Sequence, residues 1–319
     1  MKLPFSDRSR ILLKRAALLL WIAVIGYIVV SKGLEMDWPK VLQALESFEV
    51  ATMAVAFALG IPAFLACASF DLVGRHATGH RLPVPRVMLI SWTGYFFSLN
   101  LGALVGGLAF RYRLYMPYRL SGMTISQVIG LSILTNWSGY VPIAGAMLVG
   151  QPPDLPAAWG VSDVVMRGTG ILLLAAFAGY LALCWLRGGS RVRWKDSEFE
   201  LPTLKIAAMQ VALSVVSWGS IGAIITWLIP ADVSWLAVMP VLMISAIAGI
   251  WSHVPSGLGV IELVFLALLG HQVAENELLA AILVYRLVYY LVPFAVAIGA
   301  YAYLEASAKR RSADARESE

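Results

Sequence analysis

Two ionisable residues stand where ionisable residues are costly. Glu262 lies in a forty-residue stretch, 231–270, that contains no lysine or arginine and only one other carboxylate, Asp232. Arg286 lies eight residues into the apolar segment 278–304, about 12 Å deep if that segment is a helix. A charge facing hydrocarbon costs several kcal/mol on insertion scales, so each must face the protein interior or a wet cavity and find a partner. Each is the other's natural partner. Two chemistries are open to them. One is a structural ion pair, with Glu262 also favoured near the start of a half-helix. The other is passage of a charged substrate, because a guanidinium matches phosphate oxygens in a bidentate way.

The residues around them sharpen the choice without making it. Glu262 closes the string "HVPSGLGVIE", 253–262, in which Pro255, Gly257 and Gly259 break a helix. Such a bend presents free backbone amides that attract anions, although the same glycines serve a tight turn that binds nothing. His253 at its start either handles a proton or is simply hydrogen-bonded. Tyr285 precedes Arg286 in "YRLVYYLVP", while Asn136, Ser138 and Tyr140 in "TNWSGYVP" are central and uncharged, the sort of residues that glue helices together. Earlier, "GALVGGLAFRYRLY" supplies Gly102, Gly106 and Gly107 for close packing, then Arg111 and Arg113 interleaved with Tyr112 and Tyr115. At a cytoplasmic membrane face these are anchors, or a landing site for anionic headgroups worth about 1 kcal/mol per basic residue. Arg167, four residues after Asp163, is expected to pair with it or to snorkel. The sequence holds no nucleophile triad, Walker loop, HExxH or zinc spacing, so neither catalysis nor a metal or cofactor is expected. Cys67 and Cys184 are isolated in apolar runs, which excludes a disulfide framework.

What must position these residues is a membrane-embedded bundle. With 60% hydrophobic and 13% charged residues, the chain is too apolar for a soluble domain. Its apolar runs are continuous, as in membrane helices, and not alternating. They fall at about 15–31, 50–70, 87–110, 122–150, 164–186, 205–229, 235–270 and 278–304. The first follows a basic segment but lacks a small-residue cleavage site, so a retained helix is expected and not a signal peptide. Five clusters hold 20 of the 24 lysines and arginines, and the net charge of +5 therefore follows the membrane faces and does not indicate nucleic acid. By the positive-inside rule these clusters are cytoplasmic, as are both termini, and the acidic connections 32–49, 151–163, 230–234 and 271–277 face out.

That assignment returns segments 87–110 and 235–270 to the side they enter from. Each carries a break, "SLNLG" at 98–102 and "HVPSGLG" at 253–259. The arms 87–99 and 258–270 would be roughly 20 Å long, short of a full crossing. The expected architecture is an all-α polytopic membrane protein with six full transmembrane helices and two re-entrant helical hairpins in an inverted-topology repeat. Residues 1–155 run span, span, cytoplasm-facing hairpin, span; residues 156–305 repeat that order with the hairpin facing out; residues 306–319 form a polar tail without structure. Such repeats belong mainly to transporters, with the site where the broken helices meet. Asp37, Trp38 and Pro39 open a short amphipathic helix suited to the outer interface, with Asp37 as N-cap.

The strings "GGLAFRYRLY", "HVPSGLGVIELVFLALL" and "YRLVYYLVP", with "LPVPRVMLISWTGYFFSLNLG" and "TNWSGY", resemble the lysylphosphatidylglycerol synthase transmembrane-region family, and the likeness extends over nearly the whole chain. The resemblance implies an inner-membrane, flippase-like protein that binds or translocates phospholipid of the anionic or aminoacylated phosphatidylglycerol type. It also implies that Pro255, Gly257, Gly259, Glu262, Arg286 and Arg111 carry the family's functional positions. Full synthases have a soluble aminoacyl-transferase domain, which these 319 residues lack, so lipid aminoacylation is not expected. The other expectation is a non-transporting partner or regulator of a lipid-synthesising enzyme.

Overall fold

The structure is a computed structural model that describes residue 34 and residues 38–102, 107–156, 159–194 and 197–317. The first apolar segment, 15–31, the N-cap Asp37 and Gly106 lie outside the described residues, and so do the expectations placed on them.

The chain folds as helices. They are α1 (Trp38–Glu46), α2 (Val50–Thr78), α3 (Val84–Leu101), α4 (Phe110–Tyr115), α5 (Gly122–Gly150), α6 (Asp163–Arg187), α7 (Leu204–Leu228), α8 (Trp235–Ser252), α9 (Val260–Leu269), α10 (Glu275–Tyr285) and α11 (Val292–Glu317). A π-helical segment, Arg286–Leu291, joins the last two without interruption. Helix starts follow hydroxyl caps: Ser121, Ser162, Thr203 and Ser234 each accept a backbone N–H from the first turn of α5, α6, α7 and α8. Helix ends follow left-handed residues, Gly79 after α2 and His253 after α8.

Five of the described helices are long and apolar enough to cross a membrane: α2, α6, α7, α8 and the continuous rod from Glu275 to Arg310. Four of these were expected as spans. The fifth, α8, was expected as one arm of a hairpin; it has 18 residues, about 27 Å. Its partner α9 has ten residues, about 15 Å, and packs back against it after the break. In the other expected hairpin, α3 ends where "SLNLG" predicted, at Gly102 with φ 89°, and the chain resumes as the short α4. Helix α5 has 29 residues, yet its uncharged polar residues keep it out of the apolar set.

One further expectation is corrected: the chain beyond Ala306 continues as helix α11 to Glu317, and near its middle Arg86 donates to Ser307 Oγ at 3.0 Å and Arg113 donates to Glu305 at 2.6 Å. The connection between α6 and α7 forms a two-stranded antiparallel ribbon, β1 (Arg191–Trp194) with β2 (Ser197–Glu200), which the sequence reading passed over. Helix α1 behaves as expected of an amphipathic helix, resting on α10 with Val41 fully buried and Leu42 exposed.

Small residues set the helix crossings. A Cβ on Gly74 would come within 2.5 Å of the Val128 backbone, joining α2 to α5, and one on Gly139 within 2.6 Å of Val215 N, joining α5 to α7. Close backbone approach of this kind is how helices associate where lipid gives no hydrophobic drive. The largest buried cluster threads α2, α7, α8, α9 and α10 and continues through the π segment.

Candidate functional site at the helix breaks

Between α8 and α9 the backbone makes a compact reversal. His253 (φ 56°) caps α8, Pro255–Gly257 form a 3-10 turn, and Ser256, Gly257 and Gly259 have φ of 59°, 58° and 76°. Glycine takes these angles freely, whereas Ser256 takes its own at a cost of order 1–2 kcal/mol. The turn places Glu262 in the first turn of α9 with 8% of its surface exposed.

Arg286 reaches this turn from the rod α10–α11. Its Nε donates to Glu262 Oε1 and its Nη2 donates to Oε2 at 3.0 Å, a bidentate pair. Nη1 donates to the Ser256 carbonyl at 3.0 Å and Nη2 to the Gly257 carbonyl at 2.9 Å. The face of the Tyr290 ring lies 5.3 Å from the guanidinium carbon. The ion pair read from sequence is therefore formed, but the bend meets Arg286 with its carbonyls. The Gly257 amide, expected to face an anion, is spent on the Val254 carbonyl at 2.9 Å. Tyr285, Arg286, Val288, Tyr289 and Tyr290, in and beside the π segment, are all buried. Such segments recur at functional sites.

The other break comes to the same place. Ser256 Oγ donates to the carbonyl of Asn100, the penultimate residue of α3, at 2.9 Å. Asn100 Nδ2 donates to the Phe96 carbonyl at 2.9 Å and to the Tyr290 carbonyl at 3.4 Å. One turn back, the Tyr95 and Tyr289 hydroxyls lie 3.2 Å apart. Tyr285 stacks on Tyr289 with ring centroids 5.7 Å apart. Tyr140 of α5 donates to the Met243 carbonyl of α8 at 2.7 Å, so this residue does join helices. Asn136 does so through its backbone, whose carbonyl accepts from Ser214 at 2.6 Å and Trp218 at 3.0 Å, while its Oδ1 is buried without a partner. Ser138 donates one turn back within its own helix, to the Thr135 carbonyl.

Arg111 is not an open surface arginine: it is 5% exposed and donates to Asp71 Oδ1 at 3.0 Å and to Ser132 Oγ at 2.7 Å. Tyr115 donates to the second Asp71 oxygen at 2.8 Å. The arrangement needs Gly94, where a Cβ would come within 2.2 Å of the Arg111 side chain. Asp71 was missed because the apolar run was closed at residue 70. The signal was present, since "SFDLV" is apolar on both sides of the carboxylate and α2 continues to Thr78. Beside this cluster, in the connection from α2 to α3, His80 is buried edge-on to Tyr115. Burial and then Arg75 push its imidazole below the ordinary value of 6.5, with Asp71 opposing.

The remaining candidates are quickly placed. His253 is exposed, with Nδ1 at 2.8 Å from the Trp251 carbonyl. Arg167 donates to the Val149 carbonyl at the end of α5, which accounts for a basic residue there without Asp163. Pro255, as the first residue of the 3-10 turn, fixes its entry. Among the described residues there is no cluster of histidine, cysteine or carboxylate that could hold a metal. Both cysteines are free.

Long apolar helices interrupted by bends that meet at a buried ion pair define a multi-pass helical membrane protein. The chain belongs to the lysylphosphatidylglycerol synthase TM region family, matching it over residues 12–297. It is 37% identical over 304 residues to the inner membrane protein YbhN of Escherichia coli, covering 95% of both chains. It is 29% identical to the uncharacterized protein slr0712 of Synechocystis sp., over 88% of this chain and 89% of that one. Against the phosphatidylglycerol lysyltransferase of Bacillus subtilis it is 24% identical over 86% of its length, but this region is only 32% of that enzyme.

Proposed function

We propose that the protein binds phospholipid and moves it between the leaflets of a bacterial inner membrane, with an anionic or aminoacylated phosphatidylglycerol-type headgroup as cargo. The reading takes the two broken segments as re-entrant hairpins of an inverted repeat, one opening to each side, with both termini cytoplasmic. The observation that carries it is the meeting of the two breaks: Ser256 Oγ on the Asn100 carbonyl, with Arg286 and Glu262 directly behind. Broken helices need partners for backbone groups that lipid cannot satisfy, and they are tolerated at membrane depth where protein or a wet cavity supplies those partners. Transporter sites are built this way. The membrane assignment is supported by the apolar helices and by the likeness to YbhN; the lipid class is suggested by the family and the lysyltransferase relative.

Arg286 has four of its N–H directions engaged, so the headgroup phosphate meets it by exchanging for the Ser256 or Gly257 carbonyl while Glu262 keeps the guanidinium oriented. Arg111, held by Asp71, shapes the cytoplasm-facing hairpin and recruits no headgroup at the surface. One observation favours a second reading: a guanidinium this fully engaged also suits a purely structural pair in a protein that docks a lipid-synthesising enzyme. Leaflet exchange of labelled lipid in proteoliposomes separates the two. Exchange above protein-free vesicles, faster for anionic than for zwitterionic lipid, is expected; exchange at the protein-free rate for both contradicts the transport reading.

A further inference from the structure

We infer that Ser256 is a latch that holds the two helix breaks together, and that this latch must open for a lipid headgroup to pass. The second clause rests on the transport reading above; the first stands on the geometry alone. Three observations converge on Ser256. Its backbone is in the left-handed region at φ 59°, between His253 at 56° and Gly257 at 58°. Glycine would sit there without strain, and the chain uses glycine at 257 and 259. Serine adds only a hydroxymethyl group, and its hydroxyl is the group that crosses to α3, donating to the Asn100 carbonyl at 2.9 Å.

That carbonyl needs a donor. Asn100 lies one residue before the end of α3, where the helix's last carbonyls lose their intrahelical partners, and the chain then turns at Gly102 with φ 89°. The bond thus closes an open backbone group on one break with a strained residue on the other. The Ser256 carbonyl is held separately, by Arg286 Nη1 at 3.0 Å. Two grips oppose the strain, and one of them, the Arg286 grip, is what a competing anion would remove. Losing it leaves the hydroxyl bond alone against a backbone that favours release. The residues flanking the contact are exposed, Leu101 at 42% and Leu258 at 55%. Asn100 Nδ2, which also reaches the Tyr290 carbonyl at 3.4 Å, carries the change to the π segment behind Arg286.

The test has two arms, run with Cys67 and Cys184 replaced by alanine. In the first, spin labels at Leu101→Cys and Leu258→Cys report the distance between the breaks in the full chain. A single short distance is expected in the parent and an added longer population in both Ser256→Ala and Ser256→Gly, the glycine variant controlling for relief of strain. An unchanged distribution in both variants overturns the latch, whatever the protein transports. In the second, Asn100→Cys/Ser256→Cys is oxidised in proteoliposomes, with disulfide formation confirmed by mass spectrometry. Lipid exchange is expected to fall to the protein-free rate and to return on reduction; exchange undiminished in the fully cross-linked protein overturns the requirement for opening. If the reduced protein also exchanges nothing, the transport reading and the requirement for opening fall together, and the first arm still decides the latch.

Discussion

Arg286 holds more than its ion pair, and that ranks the substitutions around it. Glu262→Gln leaves a buried guanidinium with two carbonyl acceptors, whereas Arg286→Gln leaves a buried carboxylate and also frees Ser256 and Gly257. Breaking one partner of a buried pair costs about 3–5 kcal/mol. The arginine variant should therefore melt lower in detergent than the glutamate variant, and the double variant should cost less than the two singles added, because it strands no charge. At His80 the sign runs with pH. An imidazole whose folded pKa lies below 6.5 contributes stability that is present above that value and lost as pH falls through the lowered folded value. Melting temperature followed from neutral toward acidic pH should fall more steeply in the parent than in His80→Gln; identical slopes would show that His80 is not the group responsible. The pairing of Glu262 with Arg286 was legible in the sequence, because each was an isolated charge in apolar surroundings. The pairing of Asp71 with Arg111 was not, because the apolar run was closed one residue before Asp71 and Arg111 was counted with a basic cluster at the membrane face.

Helix boundaries follow from caps and left-handed residues, so the breaks at Gly102 and at 253–259 were readable, with glycine and proline marking them. Whether an arm crosses the membrane was less readable. Length alone does not decide it, since α8 is 18 residues and its partner α9 only ten. The π segment had no signal, since periodicity cannot distinguish one extra inward residue from ordinary burial. Nor did the ribbon between α6 and α7, which reads as a charged loop. Helix crossings give a sharper expectation. Gly139→Ala forces a methyl to within 2.6 Å of the α7 backbone, which cannot yield as a side chain can, and should destabilise by several kcal/mol. Gly130→Ala in the same helix meets nothing within 4 Å and should stabilise by about 0.5–1 kcal/mol. Thermal unfolding of the two variants side by side checks both, and equal shifts would contradict the crossing.

At the scale of the whole molecule, the charge pattern assigns sides and the structure supplies contacts. The bends predicted to meet do meet, through Ser256 and Asn100. The orientation of the two broken segments is the part that charge alone carries. It predicts that Met116→Cys, 60% exposed in the native chain, is labelled only from the cytoplasmic side, and His271→Cys only from outside. Labelling of both from one side would overturn the inverted arrangement. The central claim, that lipid passes where the breaks meet at Glu262 and Arg286, is tested most directly by leaflet exchange in proteoliposomes carrying the parent, Glu262→Gln or Arg286→Gln, each shown to be folded. The account predicts exchange of anionic lipid by the parent and its loss in both variants; folded variants that exchange lipid at the parent rate would contradict it.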